Sequence, residues 1–126
     1  MSDVDLLAPP DDGAIARGIA LFADVVRQRY GSALRGLYLF GSRARGDAEP
    51  FSDVDLAVIV ADSVDPAGET TVLSVSAYDV LVESRVEVQP WVFRESDWRA
   101  SDPVSRLIRS ARRDARAIEA GHGDVS

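Results

Sequence analysis

The sequence contains no cysteine and no lysine, and each absence excludes a class of functional site. Without cysteine there can be no disulfide, no thiolate metal ligand and no cysteine nucleophile. Without lysine there can be no Walker-type phosphate loop, because that loop requires a lysine after its second glycine. The 14 positively charged side chains are all arginine. Any phosphate or metal site in this chain therefore has to be built from other groups.

Long apolar stretches are also missing, and positive charge is in deficit. No segment approaches the roughly 20 apolar residues of a membrane span, and the start, MSDVDLLAPPDD, lacks the basic and apolar regions of a secretion signal. We therefore expect a cytoplasmic protein without membrane contact. The net charge of −7, from 21 acidic and 14 basic residues, argues against general nucleic-acid binding. It is compatible with docking on a basic protein partner.

The length of 126 residues, 46% of them hydrophobic, predicts one globular domain over residues 1–126. Residues 1–10 are predicted to form a loose arm and residues 121–126 a disordered tail. A domain of this size has little room for a separate substrate-recognition unit. If the chemistry needs one, a partner chain would have to supply it.

Hydrophobic periodicity divides the chain into helices and strands. A first amphipathic helix is expected to follow Asp11 and Asp12, which can cap it, and to end near Gly31. Strands are predicted over residues 34–40, 54–60 and 86–93, and a second helix over residues 69–84. A closing helix is predicted to begin at Asp102-Pro103 and to carry an apolar stripe of Val104, Leu107, Ile108, Ala111, Ala115 and Ile118.

The third predicted strand alternates between apolar and other residues. Val86 and Val88 are expected to face the core, which directs Glu87 to the opposite side of the sheet. Pro90 within this strand predicts an edge position or a bulge. The second strand is instead apolar throughout after its first residues, which is typical of the covered middle of a sheet.

Asp53 and Asp55 lie two residues apart at the start of the second strand. Because side chains alternate along a strand, both carboxylates project from one face. Two carboxylates this close repel unless a cation lies between them, and hard oxygen ligands select Mg²⁺ or Mn²⁺. The same pattern is common in ordinary turns, so a metal site is one of two interpretations of this pair alone.

Gly41-Ser42 follows the first strand and precedes a predicted helical turn. Such a turn presents free backbone N–H groups, which together with the Ser42 hydroxyl can cradle a phosphate. An ordinary strand–turn connection can have the same residues. Arg43 and Arg45 add positive charge beside the turn. One of them could contact phosphate and the other be structural, and the sequence leaves this choice open.

The combination of these features is more specific than its parts. A Gly-Ser turn, ten intervening residues and Asp-x-Asp entering an apolar strand, in the run GSRARGDAEPFSDVDLAVIV, resembles the signature of the DNA polymerase β-like nucleotidyltransferase superfamily. The run is most similar to the minimal nucleotidyltransferases, the small stand-alone branch, over residues 37–60 and more weakly through Phe93. The resemblance implies an α/β (α+β) fold of the polymerase palm type, with a small mixed β-sheet flanked by helices.

The resemblance also implies roles for the residues of this run. Gly41, Ser42 and Arg45 would hold the triphosphate of ATP or another NTP, and Asp53 and Asp55 would bind Mg²⁺ or Mn²⁺. Attack of a hydroxyl on the α-phosphorus would then transfer NMP, with AMP the first candidate.

Family members place a third carboxylate on a neighbouring strand. Glu87 is the candidate here for a third catalytic and metal-binding carboxylate, because it lies on the polar side of the third strand. The family more often has aspartate there, and Gln89 occupies another plausible register. Trp91 and Trp98 are interpreted as packing or interface residues rather than nucleobase platforms.

The resemblance leaves more than one function open. Many minimal nucleotidyltransferases resemble antitoxins paired with a HEPN-domain ribonuclease, and some neutralise that toxin by adding AMP to a tyrosine. The first hypothesis is therefore an antitoxin enzyme that modifies a HEPN toxin partner. The second is a binding module that keeps the fold and neutralises its partner by contact. The third, an antibiotic-modifying transferase, is weaker because such enzymes usually carry an additional helical domain.

Overall fold

A computed structural model of the chain describes residues 8–103 and 105–118, and the predicted tail and most of the predicted arm lie outside these ranges. The helices are α1 (Asp12–Tyr30), α2 (Ser42–Arg45), α3 (Pro66–Ser84), α4 (Glu95–Trp98) and α5 (Arg106–Asp114). The strands are β1 (Leu34–Phe40), β2 (Val54–Val60), β3 (Val88–Arg94) and β4 (Arg116–Ala117), and a 3₁₀ turn, Gly31–Ala33, joins α1 to β1. None of the described helices is long and apolar enough to span a membrane.

The four strands form one mixed sheet in the order β3-β2-β1-β4. β1 pairs antiparallel with both β2 and β4, whereas β2 and β3 run parallel. The parallel pair needs a crossover, and α3 provides it. The predicted fold class, a small mixed sheet flanked by helices, is confirmed.

Side-chain caps fix where the two long helices begin. The Asp11 carboxylate accepts a hydrogen bond from the Ala14 amide at 2.8 Å, as the sequence predicts. The Asp65 carboxylate accepts from the Ala67 amide at 3.3 Å, and Pro66 occupies the first turn. The helix predicted over residues 69–84 is therefore confirmed, but it begins three residues earlier, because Asp65 is its cap and Pro66 its first residue.

One face of the sheet packs against α1 and α3. Leu56 and Val58 of β2 contact this layer, together with Phe22 of α1 and Leu73 of α3, and all four are fully buried. Gly18 of α1 also belongs to this contact, since a Cβ there would lie 2.7 Å from Val86.

The opposite face packs against α4 and α5. Its buried centre includes Ala57 and Ile59 of β2, Trp98 of α4, and Ile108 of α5. The rings of Tyr38 and Phe93 stack on Trp98 from the sheet, and Phe40 and Trp91 pack nearby. Because both faces of β2 are covered, its apolar character is continuous, as the sequence predicts.

The closing helix differs from the prediction at both ends. Its cap is Ser105, whose hydroxyl accepts from the Ile108 amide at 3.2 Å, so Asp102-Pro103 lies in the preceding loop. The helix ends at Asp114, Ala115 is extended, and β4 then pairs with β1. The predicted stripe was therefore wrong for Ala115 and Ile118, because edge pairing competes with helix extension for this segment. Val104 lies outside the described residues.

The third strand begins at Val88 rather than at residue 86. Glu87 still takes part in the ladder through its backbone, since its carbonyl accepts from the Val54 amide at 2.8 Å. Val86 and Val88 are buried in the core as predicted. Pro90 lies in an edge strand, where one side of the backbone needs no partner, which confirms the prediction drawn from it.

The outward face of α3 carries a run of exposed apolar side chains. Val75, Tyr78 and Val82, spaced by three and four residues, are each about two-thirds exposed, and Val72 extends the run by one turn. Residues at this spacing share one side of a helix, so they form a continuous apolar stripe on the surface.

Candidate active site

The candidate site lies at the edge of the sheet where β1 ends and β2 begins. Phe40, the last residue of β1, pairs with Asp55 of β2 in the antiparallel register. The chain then turns at Gly41 directly beside this pair. The two halves of the sequence motif are therefore brought together by the register of one strand pair.

Gly41 is a point where these two halves approach each other closely. Its φ of 79° and ψ of −158° lie in a region that is open almost only to glycine. A Cβ atom at this position would lie 2.5 Å from Oδ2 of Asp55, nearer than real Cβ contacts come. The absence of a side chain thus allows the turn to approach the carboxylate, and both the backbone conformation and the available space require glycine.

Residues 41–46, here called the 41–46 turn, contain the single helical turn α2. The amides of Ala44 and Arg45 both donate to the Gly41 carbonyl at 3.1 Å. The amides of Ser42 and Arg43 are the first two of the helical turn, so no carbonyl of the helix is placed to accept their hydrogen bonds. The Ser42 hydroxyl is half-buried and makes no hydrogen bond within residues 8–103 and 105–118. These are the donors that a phosphate group requires.

Arg43 is structural. Its guanidinium donates to the Ser52 carbonyl at 3.0 and 3.3 Å and to the Pro50 carbonyl at 3.2 Å. These bonds hold the loop between α2 and β2 against the turn, and so help to set the position of Asp53, the residue before β2. One of the two arginine roles left open by the sequence is thereby assigned.

Arg45 is held by two carboxylates. It donates to Asp47 at 3.2 Å and to Asp114 at 2.7 Å. The Asp114 side chain is only 7% exposed, and it is the last residue of α5. The ion pair therefore ties the closing helix to the 41–46 turn, a connection that the sequence did not indicate. The predicted contact of Arg45 with phosphate stays a prediction.

Asp53 and Asp55 alternate with the buried Val54 and Leu56, so both carboxylates project from the face that α4 and α5 cover further along. Both are half-buried. Partial burial raises the pKa of Asp55 above its ordinary value. A hydrogen bond from Trp91 and the positive charge of Arg45 lower the pKa of Asp55, and the negative charge of Asp53 raises it.

Trp91 donates its indole N–H to Oδ1 of Asp55 at 3.2 Å. The sequence interpretation as a packing residue was therefore incomplete: the ring packs against Phe40, but its polar edge reaches the site. A signal was present, since Trp91 shares the face of Glu87 and Gln89 in the alternating pattern. Periodicity predicts the face of the sheet on which a side chain lies but not how far the side chain extends, so the hydrogen bond from Trp91 to Asp55 was missed.

The parallel register of β2 and β3 sets the positions of the two candidates for a third ligand. Gln89 is level with Asp55, while Glu87 precedes β3 and is level with Asp53. The Glu87 side chain is exposed. Asp79, a further carboxylate that the sequence offers for this role, lies on α3 and so on the other side of the sheet.

Within the described ranges, no group of three or more histidine, cysteine, aspartate or glutamate side chains is close enough to hold a metal. Asp53 and Asp55 are two hard oxygen ligands on one face, and a Mg²⁺ or Mn²⁺ ion with two protein carboxylates keeps places for water and substrate phosphate oxygens. The pair therefore fits a metal that arrives with nucleotide better than one held by the protein alone. The assignment of Glu87 as a third ligand stays a prediction.

Comparison with known proteins gives the same class. Residues 19–109 match the family model of the nucleotidyltransferase domain. A Sulfolobus solfataricus protein assigned to the nucleotidyltransferases has a similar solved structure, with 20% identity and a TM-score of 0.55, covering 83% of this chain and 79% of that one. A toxin–antitoxin crystal structure containing AMP-PNP is similar with 21% identity and a TM-score of 0.52, covering 78% and 70%.

No curated protein sequence matches the chain. The two solved structures, at this level of identity, agree with the fold. The family match spans well over half of the chain and contains the 41–46 turn, both aspartates and Glu87. The chain therefore belongs to the nucleotidyltransferase domain family.

Proposed function

We propose that this protein is a Mg²⁺- or Mn²⁺-dependent nucleotidyltransferase that moves AMP from ATP to a hydroxyl group of a HEPN-domain toxin, and so acts as an antitoxin. The observation that carries the proposal is the close approach of the 41–46 turn to Asp55, one of the two aspartates. The candidate phosphate turn passes so close to one of the two candidate metal ligands that a Cβ at Gly41 would lie 2.5 Å from Oδ2 of Asp55.

In this proposal each residue of the site has a distinct task. The amides of Ser42 and Arg43 and the Ser42 hydroxyl bind phosphate oxygens, and Gly41 keeps this cradle close to Asp55. Asp53 and Asp55 would hold the metal, with Glu87 or Gln89 adding to its shell. When bound, such a metal supplies positive charge that favours ionisation of the attacking hydroxyl and departure of pyrophosphate.

The reaction then forms one bond and breaks one bond. The hydroxyl oxygen of the acceptor attacks the α-phosphorus of ATP, and the bond between the α-phosphorus and its bridging oxygen to the β-phosphate breaks. AMP becomes attached to the acceptor, pyrophosphate leaves, and the hydroxyl proton passes to solvent or to a nearby carboxylate.

The partner is supported by three observations. The net charge of −7 is compatible with a basic partner surface. The apolar stripe on α3 exposes four large apolar side chains, and contiguous exposed apolar patches mark contact sites. One of the similar solved structures is a toxin–antitoxin with AMP-PNP. An adjacent HEPN reading frame would identify the partner to be purified with this chain.

The proposal is tested by intact-protein mass spectrometry of that co-purified partner after incubation with ATP and MgCl₂. We expect a mass increase of one or more AMP units. Asp53→Asn and Asp55→Asn should each reduce the rate of transfer by about 10²-fold or more, since each removes a carboxylate that would hold the metal whose charge stabilises the transition state. Asp102→Asn, an exposed carboxylate in the loop before α5, is the matched control.

A simpler measurement comes first. Calorimetry of the chain alone should detect ATP binding that depends on MgCl₂. Absence of any such binding in the folded protein would exclude the enzyme, and transfer at the unaltered rate by the Asp53→Asn, Asp55→Asn double variant would exclude these residues as its centre.

A second function, neutralisation of the toxin by contact alone, is favoured by two observations. The described residues contain no three-carboxylate cluster, and the α3 stripe offers an apolar contact surface. A contact-only antitoxin would inhibit without any mass change in the partner. Its inhibition would survive Asp55→Asn but not the double substitution Val75→Asp, Val82→Asp on the stripe.

A further inference from the structure

The two oxygens of the Asp55 carboxylate have different neighbours. Oδ1 accepts the indole N–H of Trp91 at 3.2 Å. Oδ2 is the atom that a Cβ at Gly41 would meet first, at 2.5 Å. Trp91 therefore holds the carboxylate through Oδ1, and Oδ2 faces the 41–46 turn. A carboxylate torsion is intrinsically broad and two-fold, so some contact has to select this orientation.

We propose that Trp91 is a positioning residue for Asp55, whose indole N–H fixes Oδ1 so that Oδ2 stays directed at the 41–46 turn. The inference rests on the proposed function, because it concerns the carboxylate assigned there to the metal. Outer partners of this kind orient the carboxylates that ligate metals, and their loss costs about 10–100-fold in metal affinity or activity.

The indole is itself held in place by the sheet. Trp91 lies in β3 directly beside Ala57 of β2, a fully buried residue on the same face. Its ring also packs against Phe40, with centroids 6.4 Å apart and planes inclined by 59°. Phe40 is the residue before Gly41, so one aromatic contact connects the donor on β3 to the strand that leads into the turn.

The chemistry of indole suits this role. Its N–H is a donor and never an acceptor, and it does not ionise in the range where proteins are folded. It therefore binds a carboxylate in one direction only, and it adds no charge that would compete with a cation. A serine or histidine at the same place could reverse or ionise and would hold the oxygen less consistently.

Trp98 provides the contrast within the same chain. It is buried at 6% exposure and stacks between Tyr38 at 5.3 Å and Phe93 at 5.7 Å. Its contacts are with aromatic rings in the second core, and it is not hydrogen-bonded to Asp55. Replacing either tryptophan with phenylalanine removes one N–H and keeps an aromatic ring, so the two substitutions differ in whether the site loses a donor.

The test measures Mn²⁺ binding by electron paramagnetic resonance in the presence of a non-hydrolysable ATP analogue. Trp91→Phe should weaken Mn²⁺ binding by about 10–100-fold, whereas Trp98→Phe should leave it unchanged. In an Asp55→Asn background, Trp91→Phe should have no further effect, because a positioning residue acts only through the group that it positions. Unchanged Mn²⁺ binding by Trp91→Phe would overturn the inference, as would equal losses in both tryptophan variants.

The outcome with the unaltered protein distinguishes failure of the proposed function from failure of the inference about Trp91. If the unaltered protein binds no Mn²⁺ with the analogue, the proposed function fails and the inference falls with it. If the unaltered protein binds and Trp91→Phe binds equally well, only the inference fails. Should Trp91→Phe not fold, Trp91→His and Trp91→Leu carry the comparison, since only histidine keeps an N–H donor. Stronger Mn²⁺ binding by the histidine variant supports the role, and equal binding overturns it.

Discussion

At the scale of single residues, the site depends on positions where one atom more or less changes the geometry. Gly41 is the clearest case, because both its backbone angles and the neighbouring Asp55 exclude a side chain. Gly46, at the end of the same turn, also has a positive φ of 84°, but nothing lies within 4 Å of a Cβ placed there. Substitutions at the two glycines therefore distinguish the effect of backbone strain from the effect of contact with the Asp55 carboxylate.

Gly41→Ala is expected to abolish most nucleotide transfer in a protein that still folds. The methyl group would displace Asp55 Oδ2, and the strained backbone would cost about 1–3 kcal/mol. Gly46→Ala, in the ordinary left-handed region, should cost about 1 kcal/mol and keep most activity. Thermal unfolding and transfer rates of both variants check this. Equal loss of activity in the two would contradict the role of the Gly41 contact.

Asp55 shows how a partly buried carboxylate lowers the stability of the fold. Its folded-state pKa is raised, mainly by burial, so its ionisation is less favourable in the folded than in the unfolded protein. The contribution of neutral Asp55 to the free energy of unfolding is therefore fully present below the pKa of the unfolded state. It is lost as the pH rises through the pKa of the folded state.

Asp55→Asn should therefore stabilise the metal-free protein at pH 7, by less than about 1 kcal/mol because solvent screens a half-exposed group. The gain should disappear when the pH falls to the acidic side of the transition. Urea unfolding between pH 3 and 7 measures it, with the exposed Asp102→Asn as control. A variant less stable than the parent protein at pH 7 would show that the Trp91 bond outweighs burial.

At the scale of elements, α1 closely approaches the segment between α3 and β3 at one glycine. A Cβ at Gly18 would lie 2.7 Å from Cβ of Val86, which is itself fully buried. Gly13, one turn and a half earlier on the same helix, has only an ordinary contact of 3.5 Å with Asp11. The same substitution at these two positions should therefore have opposite effects.

Gly18→Ala is expected to destabilise the fold by about 1–3 kcal/mol through overpacking. Gly13→Ala should stabilise it by about 0.5–1 kcal/mol, because alanine favours the helix and restricts the unfolded chain. Denaturant unfolding measures both. Adding Val86→Ala to Gly18→Ala should recover part of the loss, and an additive further loss would show that the clash is not the cause.

At the scale of the whole molecule, two ion pairs join α1 to α3, and they differ in how many hydrogen bonds their carboxylate accepts. Arg29 donates to Glu69 at 2.6 Å, and the Tyr30 hydroxyl donates to the same carboxylate at 2.7 Å. Arg17 donates to the Glu83 carboxylate at 3.0 Å and to the Glu83 backbone carbonyl at 3.2 Å, and both side chains are more than half exposed. The first arrangement holds its carboxylate with three donors, counting the second Arg29 contact at 3.2 Å.

Hydrogen bonds from Arg29 and Tyr30 lower the pKa of Glu69. The stability from this group is therefore present above its unfolded pKa and is lost as the pH falls through its folded pKa. Glu69→Gln should cost up to about 1 kcal/mol at pH 7 and nothing at the acidic end. Glu83→Gln is the control, expected within about 0.5 kcal/mol at any pH. Thermal unfolding as a function of pH tests both, and equal effects would remove the distinction.

Several features could be obtained from the sequence because they depend on local chemistry. The Asp11 cap, the alternation around Glu87 and the continuous apolar run after Asp55 each follow from residues near in the chain, and the structure agrees with all three. The motif of Gly41-Ser42 and Asp53-Val54-Asp55 likewise gave the candidate site, because turn chemistry and strand periodicity are local properties, and the structure brings Gly41 close to Asp55.

Other features were decided only by the tertiary structure, because they join residues far apart in the chain. The bond from Trp91 to Asp55 depends on the parallel register of β2 and β3, and the pairing of Arg45 with Asp114 depends on where α5 ends. That end is itself tertiary, since Ala115 follows a good helical pattern but the segment after it pairs with β1. Local propensity carries no information about whether a segment is more stable as a helical turn or paired with a distant strand. The sequence alone therefore determined which residues make up the candidate site, and the fold determined which of them contact one another.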